Sequence, residues 1–198
     1  MNSHLSSSTS LTQQALMSLR TALVMVLLLG GLYTAVATQV GGWLFPEQAQ
    51  GSLILQDGHV IGSALVAQPF QAEHYFSSRP SAADYNPFDV GGSNLAPSNP
   101  ELAELASARW AALSVSNQVV PADLLTASGS GIDPHLSPEA LILQAPRVAA
   151  ARNLDLEHLI ELIHTHQEAP TWGVLGQARV NVLRLNLALD QLVAQERE

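Results

Sequence analysis

The chain has 198 residues, enough for one ordinary domain and an appendage but short for two sizeable domains. Only 13% of the residues are charged, the net charge is −9, and neither lysine nor cysteine occurs. These facts exclude a P-loop lysine, Schiff-base chemistry, thiol catalysis, disulfides and thiolate metal sites, and the acidic balance argues against nucleic acid as a partner.

Residues 1–19 are rich in Ser, Thr and Gln, carry no ionisable side chain except His4, and are expected to form a disordered tail. After Arg20 the run Thr21 to Val40 is uncharged and rich in Leu and Val. Twenty helical residues rise roughly 30 Å, the hydrocarbon thickness of a bilayer. Trp43 and Phe45 then stand where an aromatic belt would sit, and Pro46 stops the helix. Residues 20–42 therefore read as a transmembrane anchor. The alternative is a secretory signal peptide cleaved after the A-x-A step Ala35-Val36-Ala37. Arg20 precedes the span while Glu47 and Asp57 follow it, so the positive-inside rule expects a cytoplasmic tail and an extracytoplasmic domain over residues 47–198.

Ser52 to Val66 holds two apolar runs joined at Asp57-Gly58, a dipeptide that suits φ > 0 at both turn positions and predicts a β-hairpin. A short extended run is expected through Tyr75, Phe76 and Ser77 to Arg79-Pro80. Residues 81–100 are loop by composition, with Gly91 to Pro100 made almost wholly of small and turn-forming residues. Ser98 or Asn99, followed by Pro100 and Glu101, starts a helix that reaches about Leu113. Ser137 caps the next helix, which Pro146 is expected to kink or break because it lacks the N–H and clashes one turn back. Asp155 caps another, carrying the apolar stripe Leu156, Leu159, Ile160 and Ile163. The final segment alternates like a strand over Leu183, Leu185, Leu187 and Leu189, yet also fits a helix capped by Asn181. The fold class is α+β: a single N-terminal transmembrane helix, then one extracytoplasmic α+β domain with a small antiparallel sheet.

The stretch Thr126 to Pro138 concentrates Ser128, Gly129, Ser130, Gly131, Asp133 and His135 between two helices. Its composition cannot build core; it reads as a shaped, exposed loop. Two functional alternatives attach to it. Ser130 with His135 suggests a secreted Ser-dependent hydrolase, although the glycines flank Ser130 directly and the G-x-S-x-G elbow is absent. Backbone N–H groups of the Ser128 to Gly131 turn suggest a nucleotide-binding regulator, although Asp133 would repel phosphate. His158, His164 and His166 lack the i, i+4 spacing of helical zinc ligands and read as a solvated face. The scarce arginines, among them Arg79, Arg109, Arg147, Arg152 and Arg179, suit fixed pairing to carboxylates or carbonyls.

Several segments together are similar to one family. They are Gly51-Ser52-Leu53-Ile54, Gly62-Ser63, Tyr75-Phe76 with Arg79-Pro80-Ser81-Ala82, Gly91-Gly92-Ser93-Asn94-Leu95, Pro97 to Pro100, Pro121 to Pro138, Arg147-Val148-Ala149 and Arg179 to Leu183 with Leu185-Asn186. In order and spacing they resemble the C subunit of the Kdp-type high-affinity potassium-transporting ATPase. Ser77-Ser78 stands where that family often has His-Gly, and Pro146 is a second departure. The resemblance implies a single-span, non-catalytic inner-membrane subunit. Its partners would be a potassium-binding channel-like subunit, a P-type ATPase subunit and the lipid bilayer, and it would act as a chaperone that raises the ATPase subunit's affinity for ATP. No cofactor is expected on this chain; ATP and K+ belong to the complex. The residues expected to shape loops or dock are Ser93, Asn94, Ser128, Gly129, Ser130, Gly131, Asp133, Arg147 and Asn181, with no catalytic or metal-binding residue among them.

Overall fold

The computed structural model describes residues 10–113 and 118–195. The chain divides into two compact units, Met1–Gly51 and Ser52–Glu198.

The first unit is dominated by one helix, α1 (Leu11–Leu44), long and apolar enough to cross a membrane. It begins well before Arg20. The expected tail is thus corrected over residues 10–19, where Ser10 and Gln13 form a capping box that starts the helix; residues 1–9 lie outside the described residues. The middle of α1, Val26–Tyr33, is π-helical and contains Gly30 and Gly31. Helix α2 (Pro46–Ala49) follows after Phe45 leaves helical geometry.

The second unit opens with the hairpin β1 (Leu53–Gln56) and β2 (His59–Ser63). Asp57 at φ 51° and Gly58 at φ 77° make the turn, as that dipeptide requires. A bulge between Ile54 and Leu55 shifts the register, so Ile54 pairs with Gly62 but Leu55 with Val60. Then come α3 (Pro100–Ala112), α4 (Ala122–Leu125), β3 (His135–Leu136), α5 (Pro138–Arg152), α6 (Leu156–Thr165), β4 (Gln167–Glu168), β5 (Arg179–Asn181) and α7 (Val182–Gln195). The second sheet has the order β3-β5-β4, with both pairings antiparallel.

The caps follow the sequence. Asn99, Ser137 and Asp155 each accept a backbone N–H of their helix's first turn. Asn181 ends β5 and caps α7, its Oδ1 accepting the Arg184 N–H at 3.1 Å. The final segment is therefore helix, preceded by a three-residue strand. Helix α5 runs unbroken through Pro146, so the helix is not broken and restarted there. Pro146 faces solvent, so the carbonyl it leaves unpaired one turn earlier can tilt toward water.

The core is formed where α5, α6 and α7 meet the second sheet. Leu141, Val148, Leu159, Ile163, Val180, Leu185 and Leu189 are wholly buried there, together with Phe76 from the long irregular segment. The run from Tyr75 to Arg79 joins no sheet. Instead two buried side-chain amides pair with the backbone as a neighbouring strand would. Asn186 accepts the Phe76 N–H at 2.9 Å and donates to the Phe76 carbonyl at 3.0 Å. Gln144 accepts the Ser77 N–H at 2.8 Å and donates to the Ser77 carbonyl at 3.4 Å. Helices α5 and α7 thus supply the partners that a loop needs when it crosses a core.

Candidate functional site

The 126–138 loop is latched against residues 79–92 by Arg79 and two serines. From Arg79, Nε donates to the Thr126 carbonyl at 3.2 Å and Nη1 to Asp133 Oδ2 at 3.3 Å. Its Nη2 reaches the Thr126 hydroxyl and the Ala127 carbonyl, both at 3.4 Å. One planar fork therefore fixes both ends of the turn. Ser81 Oγ donates to the Gly131 carbonyl at 2.6 Å and accepts the N–H groups of Ala83 and Tyr85 at 3.0 Å. The Gly91 N–H donates to the Ser130 carbonyl at 2.9 Å.

Inside the loop each serine hydroxyl serves its own backbone. Ser128, which is buried, accepts the Gly131 N–H at 2.8 Å, and Ser130 accepts the Ile132 N–H at 3.2 Å. Gly131 has φ +73°, and a Cβ there would stand 2.6 Å from the Gly91 carbonyl oxygen and 2.7 Å from Ala83 Cβ. Gly129 is different: a Cβ there would meet nothing within 4 Å. Its own backbone is nevertheless approached by Gly92, where an added Cβ would come within 3.3 Å of it. Ser93 and Asn94 are exposed, with Asn94 at φ 53°.

A file of polar side chains leads out of the loop. His135 Nδ1 is 3.6 Å from Asp133 Oδ1 and its Nε2 is 3.9 Å from Glu168 Oε2, which in turn receives Arg179 Nε at 3.1 Å. Burial pushes the Asp133 carboxyl upward. The ring and backbone hydrogen bonds of His135 and the charge of Arg79 outweigh that burial and hold it below the ordinary carboxylate value. Arg79, Asp133, His135 and Arg179 line an open groove of about 810 Å³ with Asp123 and Glu139. Both signs of charge are present along this groove, and its arginines are already paired.

Arg147 and Asn181 lie elsewhere in the unit. Arg147 donates to the carbonyls of Glu73 and Tyr75, the latter at 3.0 Å, and to Gln144 Oε1 at 3.1 Å. Arg152 donates to the His74 carbonyl at 2.8 Å and to Asp190 at 2.7 Å, and its guanidinium lies 4.7 Å from the centre of the Tyr75 ring. Tyr75 donates its own hydroxyl to Asp190 at 2.9 Å. Asn181 Nδ2 donates to the Ala64 carbonyl at 2.8 Å, joining the end of the hairpin to the second sheet.

The geometry assembles no nucleophile and base from Ser130 and His135: the hydroxyl is held by Ile132 and the ring lies between two carboxylates. Among the described residues no group of three or more His, Asp or Glu is placed to hold a metal ion. Gln144 and Asn186 are structural residues to which the sequence pattern alone assigned no role, although Asn186 stands in one of the family segments. The available signal was a polar amide on the buried stripe of each helix.

The pattern of residues 15–191 matches the model of the family described as K+-transporting ATPase, c chain. The chain belongs to that family. A protein of Shewanella putrefaciens named potassium-transporting ATPase KdpC subunit is 50% identical over 188 residues, covering 93% of this chain and 94% of its own. An Escherichia coli protein of the same name is 48% identical over 182 residues, covering 88% of this chain and 96% of its own. One from Xanthomonas campestris pv. campestris is 51% identical over 174 residues, covering 86% and 83%. Membership in the c-chain family places this chain among potassium-transport ATPase subunits.

Proposed function

We propose that the chain is a non-catalytic accessory subunit of an ATP-driven potassium uptake complex, held in the inner membrane by α1. In this reading the Ser52–Glu198 unit lies outside the cytoplasm and docks on a potassium-binding, channel-like subunit. A P-type ATPase subunit completes the assembly. The chain raises that subunit's affinity for ATP by stabilising the complex and holds no nucleotide itself, so ATP and K+ act at the level of the complex.

The observation that carries the reading is how the polar side chains of the most chemically suggestive loop are spent. Ser128, Ser130, Asp133 and Arg79 bond within the fold, which suits a rigid docking surface better than a reacting centre. The orientation rests on Arg20 before the apolar stretch and on Glu47 and Asp57 after it. With no lysine in the chain and Asp133 in the loop, a phosphate cradle has little to recommend it.

The test is a potassium-stimulated ATPase assay on membranes with and without this chain, the other subunits being present in both. Loss of stimulation on omission, restored by adding the full chain back, is expected; full activity without it would refute the role. Protease added to sealed vesicles of known sidedness examines the orientation separately, since only external protease should then cut the Ser52–Glu198 unit.

A further inference from the structure

Both faces of the hairpin carry apolar residues. Ile54 and Gly62 are paired across the strands. A Cβ on Gly62 would collide with the side chains of Gln68 at 2.3 Å and Leu183 at 2.8 Å, so this side lies against the body of the unit. The opposite face carries Leu53 and Leu55, two apart on β1, and Val60, which pairs directly with Leu55. An antiparallel hairpin with one free face normally alternates apolar inward and polar outward. Here the outward residues include Leu53 at 46%, Leu55 at 61% and Val60 at 57% exposed, with the half-buried Ser63 opposite Leu53.

Two features say what covers them. The first is chain length: from Leu44, the end of α1, to Leu53 the chain passes through the helical turn Pro46–Ala49. That path spans at most about 25 Å, so the patch is tethered close to the end of the apolar helix. The second is charge. No Asp, Glu or Arg lies between Glu47 and Asp57, and no arginine between Arg20 and Arg79, a stretch in which His59 and His74 are the only basic side chains. A surface of this kind has little with which to attract anionic headgroups, and its affinity for a bilayer must come mainly from apolar burial. Three half-exposed side chains also fall well short of the roughly 800 Å² that each partner gives to a standard protein interface, which disfavours a second copy of this chain.

We propose that the outer face of the β1–β2 hairpin, with Leu53, Leu55 and Val60, is a lipid-contacting surface that seats this end of the domain at the boundary between headgroups and acyl chains of a zwitterionic bilayer. The contact limits how far the domain swings on its tether. It rests on the reading of α1 as a membrane span, but does not depend on which side of the membrane the domain occupies.

The experiment uses the full chain with its three tryptophans replaced by phenylalanine and a single probe introduced, either Val60→Trp or, as the anchor control, Leu28→Trp. Each is reconstituted into phosphatidylcholine vesicles with or without brominated acyl chains. Quenching and a blue-shifted emission for both probes are expected, with the Val60→Trp signal insensitive to salt and lost when Leu55→Asp is added. Quenching of Leu28→Trp alone overturns the hairpin proposal while leaving the anchor intact; quenching of neither overturns both. A Val60→Trp probe shielded from an aqueous quencher yet untouched by brominated lipid would mean that protein covers the face, which also refutes the proposal.

Discussion

Replacing Asn186 by leucine keeps the branched four-heavy-atom outline of the side chain, though in a larger volume, and removes both hydrogen bonds to Phe76, whose side chain is fully buried. Two lost bonds leave two unsatisfied backbone groups, which at about 1–3 kcal/mol of desolvation each give a cost of roughly 2–6 kcal/mol. Gln144→Leu should cost less, roughly 1–3 kcal/mol, because its bond to the Ser77 carbonyl is already long at 3.4 Å. The two amides hold adjacent residues, so once one is removed the segment can lift and reach water. The double variant should then be less destabilised than the sum of the singles, by roughly 1 kcal/mol or more. Denaturant unfolding of the full chain in detergent, followed by tryptophan emission, measures all three. An Asn186→Leu variant within about 0.5 kcal/mol of the parent, the scatter of ordinary surface substitutions, would refute the claim that α7 supplies this loop's strand partner.

The two loop glycines should separate sharply. Gly131→Ala meets both a positive φ and two contacts below 3 Å, and should lose about 2–4 kcal/mol, whereas Gly129→Ala, which meets nothing, should stay close to the parent in the same melts. The depressed carboxyl of Asp133 gives a pH signature. Because its folded value lies below the unfolded one, the stability it contributes is complete above the ordinary value near 3.8 and is lost as pH falls through the folded value. Asp133→Asn should therefore lower stability at neutral pH and flatten the acid limb of a stability-against-pH curve; an unchanged acid limb would mean the Arg79 and His135 contacts contribute nothing.

What the sequence alone determined was local. The apolar run was legible because a bilayer-length helix needs only composition, and the first hairpin because Asp57-Gly58 satisfies its turn without outside help. Ser137, Asp155 and the pair Ser98-Asn99, of which Asn99 is the cap, announced their helices because a cap bonds within its own first turn. The expectation of an early tail erred where the capping box of Ser10 and Gln13 carries the helix back to Leu11.

What only the tertiary structure decided depends on partners distant in the chain. Arg79 and Asp133 meet from loops far apart, and Gln144 and Asn186 pair with Ser77 and Phe76 across the core. Strands of two and three residues, such as β3 and β5, carry too short a period to read and exist because each holds the other in register. Pro146 likewise needed its surroundings: a proline's cost in a helix is set by whether the carbonyl it strands faces core or water, and packing alone chooses that face.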